Sequence, residues 1–246
     1  MMGLQPEYYN IDLPGKDLYP EGVKVEIKKI TPFEQKKFFS LMSNAEETDM
    51  SKILVNFLKS LVRCEGVEFE DLYYNDLQFI LYQVRAVTYK LFPLKIYTNC
   101  EHCGEKISVP VDVTKLEITG APEGLTKTIL LDNHGEVPIR PKKIKDDVAI
   151  DNFLKSQGLE VTDLAMRILV MDLLLLSDWQ PLPELWNLAM MGDITVEDTV
   201  RIEQYLGDSL WGVKEEVKDV CRHCKKEVVV SYQLDAADFF SANTDN

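Results

Sequence analysis

At 246 residues, 46% of them hydrophobic and 9% aromatic, the chain carries enough apolar material for one complex domain or two, which excludes a disordered polypeptide. A formal net charge of −14 opposes any sequence-independent grip on a phosphate backbone, so nucleic acid is not expected as a partner. The longest apolar stretch, 164–176, is interrupted by Arg167 and Asp172 and is too short to span a bilayer. The first ten residues lack the basic start and apolar run of a signal peptide, so synthesis in a cytoplasm is expected.

In chain order, Leu13-Pro14-Gly15-Lys16-Asp17-Leu18-Tyr19-Pro20 is a turn-rich opening, and 23–30 alternates as a strand. Thr31-Pro32-Phe33-Glu34 supplies an N-cap, a proline at the first helical position and a capping-box acid, which predicts a helix start. Ile53, Leu54, Phe57, Leu58, Leu61 and Val62 fall on one face of a second helix, with Cys64 as a buried thiol at the end of that stripe. A third helix is predicted from 76 to about 89 with Leu77, Ile80, Leu81 and Val84 inward, and 94–98 is a strand. Residues 126–140 read as a hairpin around Asp132-Asn133-His134-Gly135, with His134 as a turn residue. The basic run Arg140, Lys142, Lys143 and Lys145 reads as a solvated face or a protein-partner patch. From 146 onward the chain is helical, with a central helix over 164–176 and another, capped by Thr195 and Asp198, reaching about 206. Trp179, Trp186 and Trp211 read as core or inter-helix packing.

Four cysteines hold the strongest signal. Cys100 and Cys103 lie in C-E-H-C, Cys221 and Cys224 in C-R-H-C, and each pair runs into an alternating apolar stretch, Ile107, Val109, Val111 and Val113 against Val228, Val230, Tyr232 and Leu234. Two such knuckles clasping one ion form a split zinc ribbon, and four thiolates leave no open coordination position, so a structural role is expected. A disulfide-bonded or empty pair and an iron–sulfur or redox role are the competing readings. Neither pair follows a strand and opens a helix as a thioredoxin-type motif does, and four cysteines do not by themselves separate zinc from iron. His102 and His223, inside the knuckles, read as solvent-facing turn residues. The fold class expected is α+β: a mainly helical domain with a split zinc ribbon and small antiparallel β elements. Its parts are an N-terminal strand and helices (1–99), the ribbon (100–113 and 221–234), an inserted hairpin and helical region (114–220) and a tail (235–246).

No G-x-G-x-x-G, G-K-[ST], H-E-x-x-H or G-x-S-x-G string occurs, and the three histidines have turn or knuckle positions, so no enzyme is expected. The order of motifs resembles the baseplate protein family of T-even-like contractile-tailed bacteriophages, a group that includes a baseplate hub subunit. The similarity rests on Leu13-Pro14-Gly15-Lys16-Asp17-Leu18-Tyr19, with its glycine one place displaced, and on Arg85-Ala86-Val87-Thr88-Tyr89 before the first knuckle. Cys103-Gly104, Val111-Asp112-Val113 and the closing Phe239-Phe240 complete it. The resemblance implies a non-enzymatic structural or assembly component of the tail baseplate or hub, located in the virion, with other baseplate or tail proteins as partners. Phe239 and Phe240 are then either a plug in the chain's own core or an anchor in a neighbour. The ribbon considered alone fits an alternative, a cytosolic zinc-ribbon adaptor or regulator.

Overall fold

β1 (Tyr8–Ile11) and β2 (Lys24–Lys28) pair antiparallel at the start of the computed structural model, which describes residues 6–45, 47–90 and 94–232. Val25 and Ile27, two apart on β2, turn to the same side and are buried, the period-two signature expected of a half-buried strand. α1 (Pro32–Ser43) begins with the expected capping box: Thr31 Oγ1 accepts from the Glu34 backbone N–H at 3.2 Å, and Glu34 accepts from that of Thr31 at 2.9 Å. α2 (Glu47–Lys59) stops earlier than its apolar stripe suggests. Leu61 N–H donates to the Leu58 carbonyl at 2.8 Å, a tight turn that ends the helix and sends the chain into β3 (Val62–Glu65).

Cys64 is therefore a strand residue paired opposite Val25, not the end of a helix. It is half-buried, and burial first, then the charges of Glu68 and Glu70, push its thiol up to about 11. Val62 likewise leaves the helix for β3, opposite Ile27: a β-branched residue next to an unpaired sheet edge gains more from the ladder than from another helical turn.

α3 (Tyr74–Thr88) lies against this sheet with Ile80 and Val84 fully buried. Together with Phe38, Leu58, Leu61 and Leu72 they make a core in which each side chain contributes about 1.5–3 kcal/mol of burial. Asp76 in its first turn is also fully buried and accepts three hydrogen bonds: from Gly15 N (2.9 Å), the Tyr19 hydroxyl (2.7 Å) and Trp211 Nε1 (2.9 Å). Burial raises its pKa while these three donors hold it back. A Cβ on residue 15 would stand 2.7 Å from an Asp76 oxygen, so the Leu-Pro-Gly opening has glycine where the carboxylate comes closest.

β4 (Leu94–Asn99) and β5 (Lys106–Val111) form a hairpin, after which β6 (Ile118–Thr119) leads into the inserted region. There β7 (Thr128–Leu131) and β8 (Gly135–Pro138) make the predicted hairpin. Four helices follow: α4 (Asp146–Ser156), α5 (Leu164–Leu175), α6 (Leu182–Met191) and α7 (Val196–Asp208), the last opened by a Thr195/Asp198 capping box. They enclose apolar clusters around Leu173, Leu176, Leu185 and Ile202 and around Leu154 and Val170. β9 (Gly212–Val213) pairs with β6, so the two ends of the insertion meet. β10 (Glu216–Val220) and β11 (Glu227–Ser231) form the last hairpin. The described residues thus form an α+β fold of seven α-helices and small antiparallel sheets. Among them no helix is long and apolar enough to cross a membrane.

The tryptophans pack as expected. Trp211 is buried, Trp186 meets Phe153 edge-on with ring centroids 5.5 Å apart, and Trp179 lies 4.9 Å from the His134 ring. The basic run is tied into ion pairs, with Lys145 still exposed to solvent. Arg140 forms two hydrogen bonds to buried Asp146, Lys142 pairs with Asp147, and Lys143 and Lys145 both reach Asp71. In an acidic chain these cations are worth most against nearby carboxylates, and that is where they fold.

Candidate metal centre

The two cysteine pairs lie far apart in sequence, yet each occupies the turn of a hairpin, the first between β4 and β5, the second between β10 and β11. The turns are built alike. Cys100 N–H donates to the Glu105 carbonyl at 2.8 Å and Gly104 N–H to the Cys100 carbonyl at 2.8 Å; Cys221 N–H donates to Lys226 at 2.9 Å and Lys225 N–H to Cys221 at 2.9 Å. The residue after each second cysteine is left-handed, Gly104 at φ 76° and Lys225 at φ 62°. Glycine takes that conformation freely and lysine does so under strain, so the knuckle geometry overrides local preference at Lys225.

Below the turns the hairpins share a small apolar core of Val109, Val228 and Val230, supported by Ile96, Ile107 and Val217. That packing carries the knuckles onto one another. Cys100 Sγ lies 3.8 Å from Cys224 Sγ and Cys103 Sγ 3.8 Å from Cys221 Sγ, and all four sulfurs fall within 4.8 Å of one another. A disulfide requires about 2.05 Å, so the cysteines are free thiols. Four thiolates around one tetrahedral ion with metal–sulfur bonds of about 2.3 Å have sulfur–sulfur edges of about 3.8 Å. A multi-iron cluster places its own core between the thiolates and needs more room than this. The donor set and its spacing therefore fit a single tetrahedral cation.

Electrostatics points the same way. The Cys221 thiol is pulled down to about 6, first by the backbone N–H of Cys224, with burial opposing. At Cys103 the largest single influence, the N–H of Glu105, also lowers the pKa, but burial and the other three sulfurs outweigh it and leave the thiol at about 12. One negative sulfur thus forms readily and its neighbours resist a second, a repulsion that a cation among them relieves.

His102 is an exposed turn residue, as expected, and its Nε2 also donates to the Glu227 carbonyl across the gap at 2.9 Å, which links the two knuckles. The repeated C-x-H-C spacing pointed at this histidine without revealing its partner 125 residues away. His223 is exposed, as expected. His134 packs on Trp179 with Nε2 buried and unpartnered, a packing role at the hairpin tip. Phe239 and Phe240 lie outside the described residues.

A family model described as T4 bacteriophage base plate protein matches the chain over residues 8–241, all but the first seven and last five positions. No curated protein and no solved structure matches.

Proposed function

We propose that this chain, which belongs to the T4 bacteriophage base plate protein family, is a component of the hub region of a phage tail baseplate, held rigid by one structural zinc ion. The observation that carries the metal part is the approach of four sulfurs to within 4.8 Å from two hairpins. Cys100, Cys103, Cys221 and Cys224 are the ligands. With all four positions taken by thiolate no water is activated, so the ion's contribution is cohesion rather than catalysis.

Cohesion matters here because 117 residues separate Cys103 from Cys221. The ion closes that loop at the ribbon (100–113 with 221–234), next to the β6–β9 pairing, and so holds both ends of the insertion (114–220) against the N-terminal layer. A subunit fixed this way presents its surfaces in one arrangement, which is what repeated packing among other tail proteins requires. Synthesis and assembly take place in the host cytoplasm, the chain's final location being the virion tail. Family membership and the absence of catalytic strings from the sequence support a non-enzymatic role.

Quantitative mass spectrometry of purified tails and of tail-assembly intermediates tests this placement. The protein is expected in at least one of the two, cross-linked to central rather than peripheral baseplate subunits. Its absence from both would leave the cytosolic zinc-ribbon adaptor as the better reading.

A further inference from the structure

We propose that copies of this chain associate head to tail, the outward face of α1 on one copy packing antiparallel against the outward face of α7 on the next.

Each of these helices turns one side to the core and the other to solvent. On α1 Phe38 is buried, and Glu34, the only acid of the helix, is drawn back to Lys28 at 2.6 Å. Phe33, Lys37 and Ser40, at steps of four and three, fall on the opposite, exposed side, with Lys36 and Leu41 beside them. Phe33 is 76% and Leu41 48% exposed. α7 buries Asp198, Ile202 and Tyr205. Its outer row is Val196, Val200, Glu203 and Gly207, at steps of four, three and four, flanked by Glu197, and the two valines are 76% and 45% exposed.

The two faces carry opposite charge. That of α1 has two lysines and no acid. That of α7 has two glutamates and no base, because Arg201 turns to Asp132 and Asp198. Among the described residues neither Lys36 nor Lys37 has a carboxylate partner, and neither Glu197 nor Glu203 a cation. Lysines that stay clear of every carboxylate in a chain of net charge −14 are available to carboxylates of a neighbour.

Spacing sets the direction. The helices have 12 and 13 residues and are about 18 and 20 Å long, so each face covers the other. Laid antiparallel, the two rows step together: Phe33 stands over Gly207, Lys37 opposite Glu203, and Leu41 beside Val200. Nothing lies within 4 Å of where a Cβ on residue 207 would be, which leaves room for the ring. Laid parallel, Lys37 would instead meet Val200, and helix ends of like polarity would adjoin. An acidic helix of some other protein would satisfy α1 alone. The second copy also accounts for the α7 face, which repeats the length and row of the α1 face with the sign reversed.

Because two different faces meet, the contact is heterologous, and copies close into a ring or continue as a chain. Two helix faces bury less than a standard interface of about 1,600 Å², which sets the expected affinity in the micromolar range. Sedimentation velocity of the full zinc-loaded chain, from about 1 to 500 µM, tests this. Association is expected, and salt should weaken it by screening the opposite charges. Apolar contact working against the mutual repulsion of chains at −14 would instead strengthen with salt. Lys37→Glu and Glu203→Lys, both at exposed positions, should each raise the Kd roughly tenfold. The chain with both changes keeps the net charge of −14 and should associate as the wild type does. Phe33→Ala should weaken association roughly tenfold as well, and unchanged circular dichroism separates a lost contact from a lost fold. A chain monomeric up to about 500 µM, association that grows with salt, or a double charge variant no better than the single ones would each overturn the proposal. Self-association goes beyond the assignment to the baseplate, which tail composition decides and which none of these outcomes touches.

Discussion

Replacing Asp172 by asparagine should stabilise the protein at neutral and alkaline pH, which is unusual for a buried carboxyl group. Its pKa rises from the ordinary 3.8 to about 7 on folding, because burial disfavours the charged form and Glu203 adds like-charge repulsion. The folded chain thus holds a proton that the unfolded chain has released, and the stability linked to this group falls as pH rises through the interval between about 4 and 7. At about 1.4 kcal/mol per pH unit that interval sets a ceiling of about 4 kcal/mol. Relaxation and water entry around a charge between two helices reduce the realised cost to about 1–3 kcal/mol. Asparagine keeps the shape and never ionises, so its gain should be small near pH 4.5 and reach about 1–3 kcal/mol at pH 8. Urea unfolding of both proteins, followed by circular dichroism with zinc present, measures this difference. A gain of the same size at both pH values, or a less stable variant at pH 8, would refute the idea that an uncompensated carboxylate lies between α5 and α7.

Other consequences are as direct. Cys221→Ser should remove bound zinc, seen as loss of about one equivalent released by thiol modification of the wild type, and should melt the ribbon early, since such sites contribute about 10–16 kcal/mol of binding in isolated fingers. Zinc retention by the variant at wild-type affinity would exclude Cys221 as a ligand. Trp211→Phe takes one of three donors from Asp76 and should cost about 1–3 kcal/mol in chemical denaturation, more than the same change at the half-buried Trp179. Gly212→Ala places a Cβ 2.9 Å from the Asn75 carbonyl at φ 121°, so a loss of about 2–3 kcal/mol is expected, visible as a lowered Tm.

Where local chemistry sufficed, reading the chain succeeded. The capping boxes of α1 and α7, the β7–β8 hairpin and the inward face of α3 depend on residues within a few positions of one another, and the structure places them within two residues of expectation. It failed where a distant partner decided. Val62 and Cys64 extend a helical stripe until β2 offers a ladder. The cations of 140–145 give no sign along the chain that Asp71, Asp146 and Asp147 are the carboxylates they pair with. β1, β6, β9 and β10 are short strands whose alternation is too brief to register without the strand they pair with.

The metal centre shows the same division. C-x-x-C spacing alone identifies four thiol donors on two turns, because a knuckle is a local structure that a few residues can encode. Whether the knuckles share an ion depends on Val109, Val228 and Val230 packing two hairpins together and on His102 reaching Glu227, and such contacts have no signature along the chain. Asp172 is the sharper case: in sequence it is one polar residue interrupting an apolar run, and only tertiary packing, by burying it within reach of the Glu203 charge with no donor for Oδ1, raises its pKa and makes its ionisation costly.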